Sequence, residues 1–147
     1  MSNDARGEHR NASSQGRVLV VDDQDTNREL ISDMLASEGY DVVTAQDGLD
    51  ALNQLAEPLP DVIISDLRMP RMSGFEFLAV VRQQFPHVPV LVISGEFGGN
   101  AVPAEVPADA YLEKGGFTFE QLRSTITELL SAPPRRPRPA AIGFVPA

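Results

Sequence analysis

Charged and hydroxyl side chains stand directly after short apolar runs in the sequence. The first run is followed by Asp22 and Asp23, the third by Asp66, the fourth contains Ser94 at its end, and a weaker fifth is followed by Lys114. Carboxyl ends of parallel strands meet at one edge of a sheet, which is where open sheets bind ligands. We therefore expect three carboxylates, one hydroxyl and one ammonium to lie together at such an edge.

This combination of groups indicates phosphoryl chemistry. Three carboxylates without histidine or cysteine suit a hard cation bound through oxygen, and a neighbouring lysine favours Mg²⁺ over Ca²⁺. Mg²⁺, an ammonium and a hydroxyl together stabilise a phosphoryl group, whose charge is spread over its oxygens. A carboxylate can act as the nucleophile and form an acyl phosphate. Asp66 is best placed, because it ends the central strand opposite Ser94 and Lys114.

The apolar runs predict five strands, near residues 18–21, 42–45, 62–64, 88–93 and, more weakly, 108–112. The first four are β-branched and almost continuously apolar, which is typical of parallel strands covered on both faces. Amphipathic stretches between the runs predict helices, and Thr26 with Glu29 predicts a capping box at the start of the first helix. This alternation predicts a doubly wound α/β domain with a five-stranded parallel sheet.

The two ends of the chain differ from this pattern. Residues 1–16 are polar and lack periodicity, so we expect a disordered arm. Residues 132–147 hold five prolines among three arginines, and a segment with so few backbone donors predicts a disordered tail. The folded domain is expected over residues 17–131.

The composition of this chain of 147 residues excludes several classes of function. The formal net charge is −9, which argues against nucleic-acid binding. The chain has no cysteine, so disulfides, thiolate metal sites and cysteine nucleophiles are excluded. No apolar run approaches the roughly 20 residues needed to span a bilayer, and the polar residues 1–16 carry no hydrophobic signal-peptide core. We expect a soluble, cytoplasmic protein without a membrane partner.

Four motifs in order resemble the receiver domain of two-component response regulators. They are the pair Asp22-Asp23, the run D-L-R-M-P that begins at Asp66, the pair Ser94-Gly95, and the run Y-L-E-K that ends at Lys114. The resemblance covers residues 17–131 and implies a flavodoxin-like fold. It also implies a stand-alone phosphorylation switch rather than an enzyme.

The resemblance assigns a phosphoacceptor and a metal site. Asp66 would take a phosphoryl group from the phosphohistidine of a sensor histidine kinase or a phosphotransfer protein. Asp22, Asp23 and Asp66, with the backbone carbonyl of Arg68, would hold Mg²⁺.

It assigns three further roles around that site. Lys114 would pair with the phosphoryl oxygens or, before phosphorylation, with Asp66. Ser94 would donate its hydroxyl to the phosphoryl group. Tyr111 would change rotamer and transmit the event to a downstream protein, which the sequence does not identify.

The sequence departs from the family pattern at two places. The family usually has proline directly after the lysine, whereas Gly115-Gly116 follows Lys114 here. Residues 97–107 are rich in glycine and proline, so we expect the helix after the fourth strand, the fourth of the family fold, to be weak or missing.

Two other functions remain as alternatives. One is a receiver-like binding module that acts without phosphorylation, which would predict loss of site residues. The other is a Mg²⁺-dependent aspartyl phosphohydrolase. Such enzymes commonly carry a second acid two residues after the nucleophile to protonate the leaving group, and Arg68 occupies that position.

Overall fold

The structure is a computed structural model that describes residues 14–55, 58–95 and 108–131. The predicted tail and most of the predicted arm lie outside the described residues. So does the segment 97–107, for which a weak or missing helix is predicted.

The described residues form one five-stranded parallel sheet with helices. The strands are β1 (Arg17–Val21), β2 (Asp41–Ala45), β3 (Val62–Ser65), β4 (Val90–Ser94) and β5 (Ala110–Glu113), and the helices are α1 (Asp25–Ser37), α2 (Gly48–Asn53), α3 (Gly74–Gln84) and α4 (Phe119–Ser131). The strand order β2-β1-β3-β4-β5 confirms the predicted flavodoxin-like fold, with β3 in the centre. Among the described residues no helix is both long and apolar enough to cross a membrane.

The sheet is buried on both faces, which explains why its inner strands are apolar throughout. On one face, Val20 and Ile64 pack with Ile31 of α1 and Ile126 of α4. The opposite face carries Leu19 and Ile63 with apolar side chains of α2 and α3. Helices therefore cover both faces of the sheet.

The fold begins earlier than the sequence predicted. The backbone amide of Gln15 donates to the carbonyl of Gly39 at 2.9 Å, and that of Asp41 donates to the carbonyl of Gly16 at 2.8 Å. These bonds tie residues 14–16 to the turn before β2, so the last three residues of the predicted arm belong to the folded unit.

Capping boxes occur at helices other than the predicted one. Helix α1 begins at Asp25 with Gln24 as its N-cap and no side-chain capping bond, so Thr26 lies within the first turn and the predicted box is wrong. Such boxes are found at α4, between Thr118 and Gln121, and at α3, where the Ser73 hydroxyl accepts from the Glu76 amide at 3.2 Å. The Glu76 carboxylate in turn accepts from the Ser73 amide at 3.0 Å.

Candidate functional site

The carboxyl ends of β1, β3, β4 and β5 surround an open cleft of about 490 Å³. Five of the residues that the sequence predicted for the site line this cleft, namely Asp23, Asp66, Arg68, Ser94 and Lys114. The cleft is lined by Asp23, Gln24, Asp66, Arg68, Ser94, Gly95 and Lys114.

Three carboxylates converge at this edge. One oxygen from each of Asp22, Asp23 and Asp66 lies within 4.8 Å of the others. Asp22 and Asp66 are buried, whereas Asp23 is exposed and leaves one side open to solvent. Burying several negative charges together is unfavourable unless cations neutralise them. Oxygen donors alone, with an open side for water or substrate, fit the requirements of Mg²⁺.

Lys114 already neutralises part of this charge. Its Nζ lies 2.5 Å from Asp66 Oδ2 and 3.4 Å from Asp22 Oδ2. Partial burial alone would lower the pKa of Lys114, but the hydrogen bond and charge of Asp66, supported by Asp22, outweigh it and raise that pKa. The side chain is therefore an ammonium at neutral pH.

The second oxygen of Asp66 faces backbone donors. Oδ1 accepts from the Leu67 amide at 2.6 Å and from the Arg68 amide at 3.4 Å. The residues that follow β3 thus fold back over the carboxylate. Gly74 permits this path, because a Cβ there would lie 2.0 Å from the Asp66 carbonyl oxygen.

Asp22 is held by two contacts from α1 and the turn before it. Its Oδ1 accepts from the Gln24 amide at 2.8 Å. Its backbone carbonyl accepts from Arg28 Nη1 at 2.7 Å, while the same guanidinium pairs with Asp25. Burial raises the pKa of Asp22, assisted by the nearby charge of Asp66, against the opposing effects of the Gln24 hydrogen bond and Lys114.

Sequence reasoning missed the contact of Arg28 with this turn. A basic residue six positions after Asp22 and three after Asp25 was the available signal, since positions i and i+3 share a helix face.

Ser94 and Tyr111 lie on neighbouring strands and are joined by a hydrogen bond. The Tyr111 hydroxyl donates to the Ser94 carbonyl at 2.9 Å, and the Lys114 amide donates to the same carbonyl at 3.1 Å. Ser94 is buried, while Tyr111 is half-buried and packs against the apolar cluster under α2 and α3. A single hydrogen bond therefore connects the Tyr111 hydroxyl to the backbone at Ser94. The change of rotamer at Tyr111 stays a prediction.

The glycine pair after Lys114 forms a turn. Gly115 has a φ of +82°, in the region that favours glycine. The Gly116 amide donates to the Glu113 carbonyl at 3.0 Å. This turn leads from β5 towards α4 where the family usually has proline.

The comparison with protein families gives one match that spans most of the chain. Residues 18–127 match the family described as the response regulator receiver domain. All residues predicted for the site lie within that range.

Curated relatives agree with this match. The chain is 34% identical over 133 residues to the response regulator MprA of Mycobacterium sp. (strain KMS), a match that covers 88% of this chain and 57% of MprA. It is 36% identical over 114 residues to the protein PilG of Pseudomonas aeruginosa, covering 75% of this chain and 84% of PilG. The chain therefore spans little more than half the length of MprA but most of PilG.

A solved structure shows the same fold. The response regulator TrrA of Thermotoga maritima, in complex with Mg²⁺-BeF, superimposes with a TM-score of 0.70 at 32% sequence identity. The match covers 78% of this chain and 98% of the solved one.

Proposed function

The chain belongs to the response regulator receiver domain family, and from this premise we propose that it is a phosphorylation-dependent signalling switch. Asp66 accepts a phosphoryl group from the phosphohistidine of a sensor histidine kinase or of a phosphotransfer protein. The acceptor step depends on Mg²⁺, and the phosphorylated domain signals through a protein partner.

The observation that carries this proposal is the environment of Asp66. Its carboxylate is 5% exposed at the end of the central strand, with the ammonium of Lys114 on one oxygen and the amide of Leu67 on the other. A buried carboxylate with fixed donors and a solvent-facing cleft suits a nucleophile that is held in place and approached from one side.

The transfer itself needs little from the protein beyond position and charge. A carboxylate oxygen of Asp66 attacks phosphorus, the phosphorus–nitrogen bond of the donor breaks, and the departing imidazole takes up a proton. Lys114, now 2.5 Å from Asp66, then pairs with a phosphoryl oxygen. The hydroxyl of Ser94, at the end of the adjacent strand, donates to another.

Asp22, Asp23, Asp66 and the backbone carbonyl of Arg68 would hold the cation. Bound Mg²⁺ would neutralise the negative charge that accumulates between the carboxylates and the incoming phosphoryl group. The relative TrrA was solved with Mg²⁺-BeF, and the oxygen-only donor set of this chain supports the same metal here.

Two features favour a switch over the alternative functions. Arg68 occupies the position where a phosphohydrolase of this type would need its second acid, so we propose that the domain is not an enzyme. A binding module that acts without phosphorylation does not need a complete acceptor site, whereas every residue expected for an acceptor site is present.

The downstream partner is a protein of unknown identity. The proposed location is the cytoplasm, where phosphohistidine donors are formed from ATP.

Incubation of the full chain with acetyl phosphate and Mg²⁺ tests the proposal. Intact mass spectrometry is expected to show one added phosphoryl group, which disappears in Asp66→Asn and persists in the control Asp33→Asn, a change at an exposed residue of α1. Equal labelling of Asp66→Asn would contradict the assignment.

A further inference from the structure

Residues 67–73, which lie between Asp66 and α3, contribute much of the geometry at Asp66; we name them the β3–α3 loop. The amides of Leu67 and Arg68 donate to Asp66 Oδ1. The carbonyl of Arg68 is the proposed backbone ligand of the cation. Any group that fixes the path of this loop therefore affects both the nucleophile and the metal site.

One residue of the loop has an unfavourable backbone conformation. Arg71 has a φ of +68°, the one positive value among non-glycine residues in the described part of the chain. This region is sterically disfavoured for a residue with a Cβ and persists when surrounding contacts require it. The side chain of Arg71 must therefore make a contact that compensates.

That contact is an ion pair with Asp47, which precedes α2. Arg71 Nε and Nη2 both donate to Asp47 Oδ2, at 2.9 and 2.5 Å. The Asp47 side chain is 5% exposed, whereas that of Arg71 is 56% exposed. The second oxygen of Asp47 caps α2 by accepting from the Asp50 amide at 2.9 Å. The Asp50 hydrogen bond, with that of Arg71, outweighs burial and lowers the pKa of Asp47.

A second contact joins the next residue of the β3–α3 loop, Met72, to the residue after Asp47, Gly48. The Gly48 amide donates to the Met72 carbonyl at 3.3 Å. A Cβ on Gly48 would lie 2.7 Å from Met72 Cγ, so the two segments are in close contact. Residues 71–72 are thus joined to residues 47–48 by a side-chain pair and a backbone bond.

We propose that the Arg71–Asp47 pair is a positioning device for the phosphoacceptor site. It anchors the β3–α3 loop to the start of α2, so that the Arg68 carbonyl faces the cation and the amides of Leu67 and Arg68 face Asp66. The inference rests on the proposed function, because it assigns a role to the pair in that same site. Neither residue is among those that line the cleft at the strand ends.

Mg²⁺ affinity of the unphosphorylated full chain is the appropriate readout, measured by isothermal titration calorimetry. Arg71→Gly removes the guanidinium but permits the positive φ, and Asp47→Asn removes the charge but keeps a good N-cap. Each is expected to weaken Mg²⁺ binding by roughly tenfold, the low end of the cost of losing the support of a metal ligand. The double variant is expected to bind like the weaker single variant, because both changes break one contact.

Three controls separate positioning from general damage. Arg71→Lys keeps a cation and is expected to recover most of the affinity. Arg123→Ala removes a positive charge from an exposed pair on α4 and is expected to leave affinity unchanged. Circular dichroism at the titration temperature must show that each variant is folded, and Arg71→Gly provides the test should Asp47→Asn fail to fold.

The outcomes distinguish this inference from the proposed function. Affinities of Arg71→Gly and Asp47→Asn within twofold of the wild type, or fully additive losses in the double variant, would overturn the positioning role. Loss of affinity in these variants, while the wild type takes no phosphoryl group from acetyl phosphate, would leave the positioning role standing and refute the proposed function. A wild type that binds no Mg²⁺ overturns both.

Discussion

At the scale of single residues, the site brings three carboxylates together with one ammonium. Lys114 contacts Asp66 and Asp22 simultaneously, so its positive charge would repel a cation at these carboxylates. The same ammonium that would stabilise the phosphorylated state would therefore weaken Mg²⁺ binding before phosphorylation.

Lys114→Ala tests this competition. Removal of the ammonium leaves the carboxylates without their nearby positive charge, so Mg²⁺ is expected to bind about three- to tenfold more tightly. Calorimetric titration of the unphosphorylated chain measures the change. Weaker Mg²⁺ binding in this variant would mean that Lys114 organises the carboxylates rather than competing for them.

At the scale of elements, α3 approaches the end of β3 so closely that its first residue has to be glycine. A Cβ on Gly74 would lie 2.0 Å from the Asp66 carbonyl oxygen and 2.6 Å from Leu67 Cα. Both atoms belong to backbone that is fixed by the sheet and by the site. The position of α3 and that of the Asp66 backbone are therefore linked by close steric contact.

Gly74→Ala is expected to destabilise the fold by about 1–3 kcal/mol, the usual cost of overpacking. Gly116→Ala is the matched control, since its nearest atoms would lie 3.7 Å away; we expect it to remain within about 0.5 kcal/mol of the wild type. Urea unfolding followed by circular dichroism measures both. Equal stabilities of the two variants would show that α3 can shift without cost.

The strands and the acidic edge could be predicted from the sequence because they depend on local patterns. Continuous β-branched runs indicate buried parallel strands, and the residues after them must meet at one edge. The same reasoning places Asp66 at the end of the central strand, and the observed strand order has β3 in the centre. The receiver resemblance is likewise confirmed by the match over residues 18–127.

Contacts that depend on the path of loops could not be predicted in this way. Thr26 and Glu29 have the spacing of a capping box, but α1 begins at Asp25 and capping boxes form at α3 and α4 instead. The Arg71–Asp47 pair joins residues 24 positions apart. Neither residue type nor spacing identifies such a pair, because the closeness of α2 and α3 is set by tertiary packing.

At the scale of the whole molecule, the cation site and the stability of the fold are linked. The three carboxylates converge only when β1 and β3 are paired, so the unfolded chain lacks the site. A ligand that binds the folded state alone stabilises it by mass action.

Mg²⁺ at 100 times its dissociation constant is therefore expected to raise the free energy of unfolding by about 2.7 kcal/mol. Thermal or urea unfolding with and without MgCl₂ measures the effect, and NaCl at equal ionic strength controls for screening of the acidic surface. Asp23→Asn changes the exposed member of the three proposed carboxylate ligands and is expected to remove most of the stabilisation. Stabilisation of this variant equal to that of the wild type would place the cation elsewhere.

The central claim is that Asp66 carries the phosphoryl group, and chemical trapping of the acyl phosphate tests it most directly. The full chain is phosphorylated with acetyl phosphate and Mg²⁺, reduced with borohydride, digested and mapped by mass spectrometry. Borohydride converts an aspartyl phosphate to homoserine, so the account predicts homoserine at position 66 and at no other aspartate. Homoserine at Asp22 or Asp23, or an unmodified residue 66 in a chain that has gained a phosphoryl group, would contradict it.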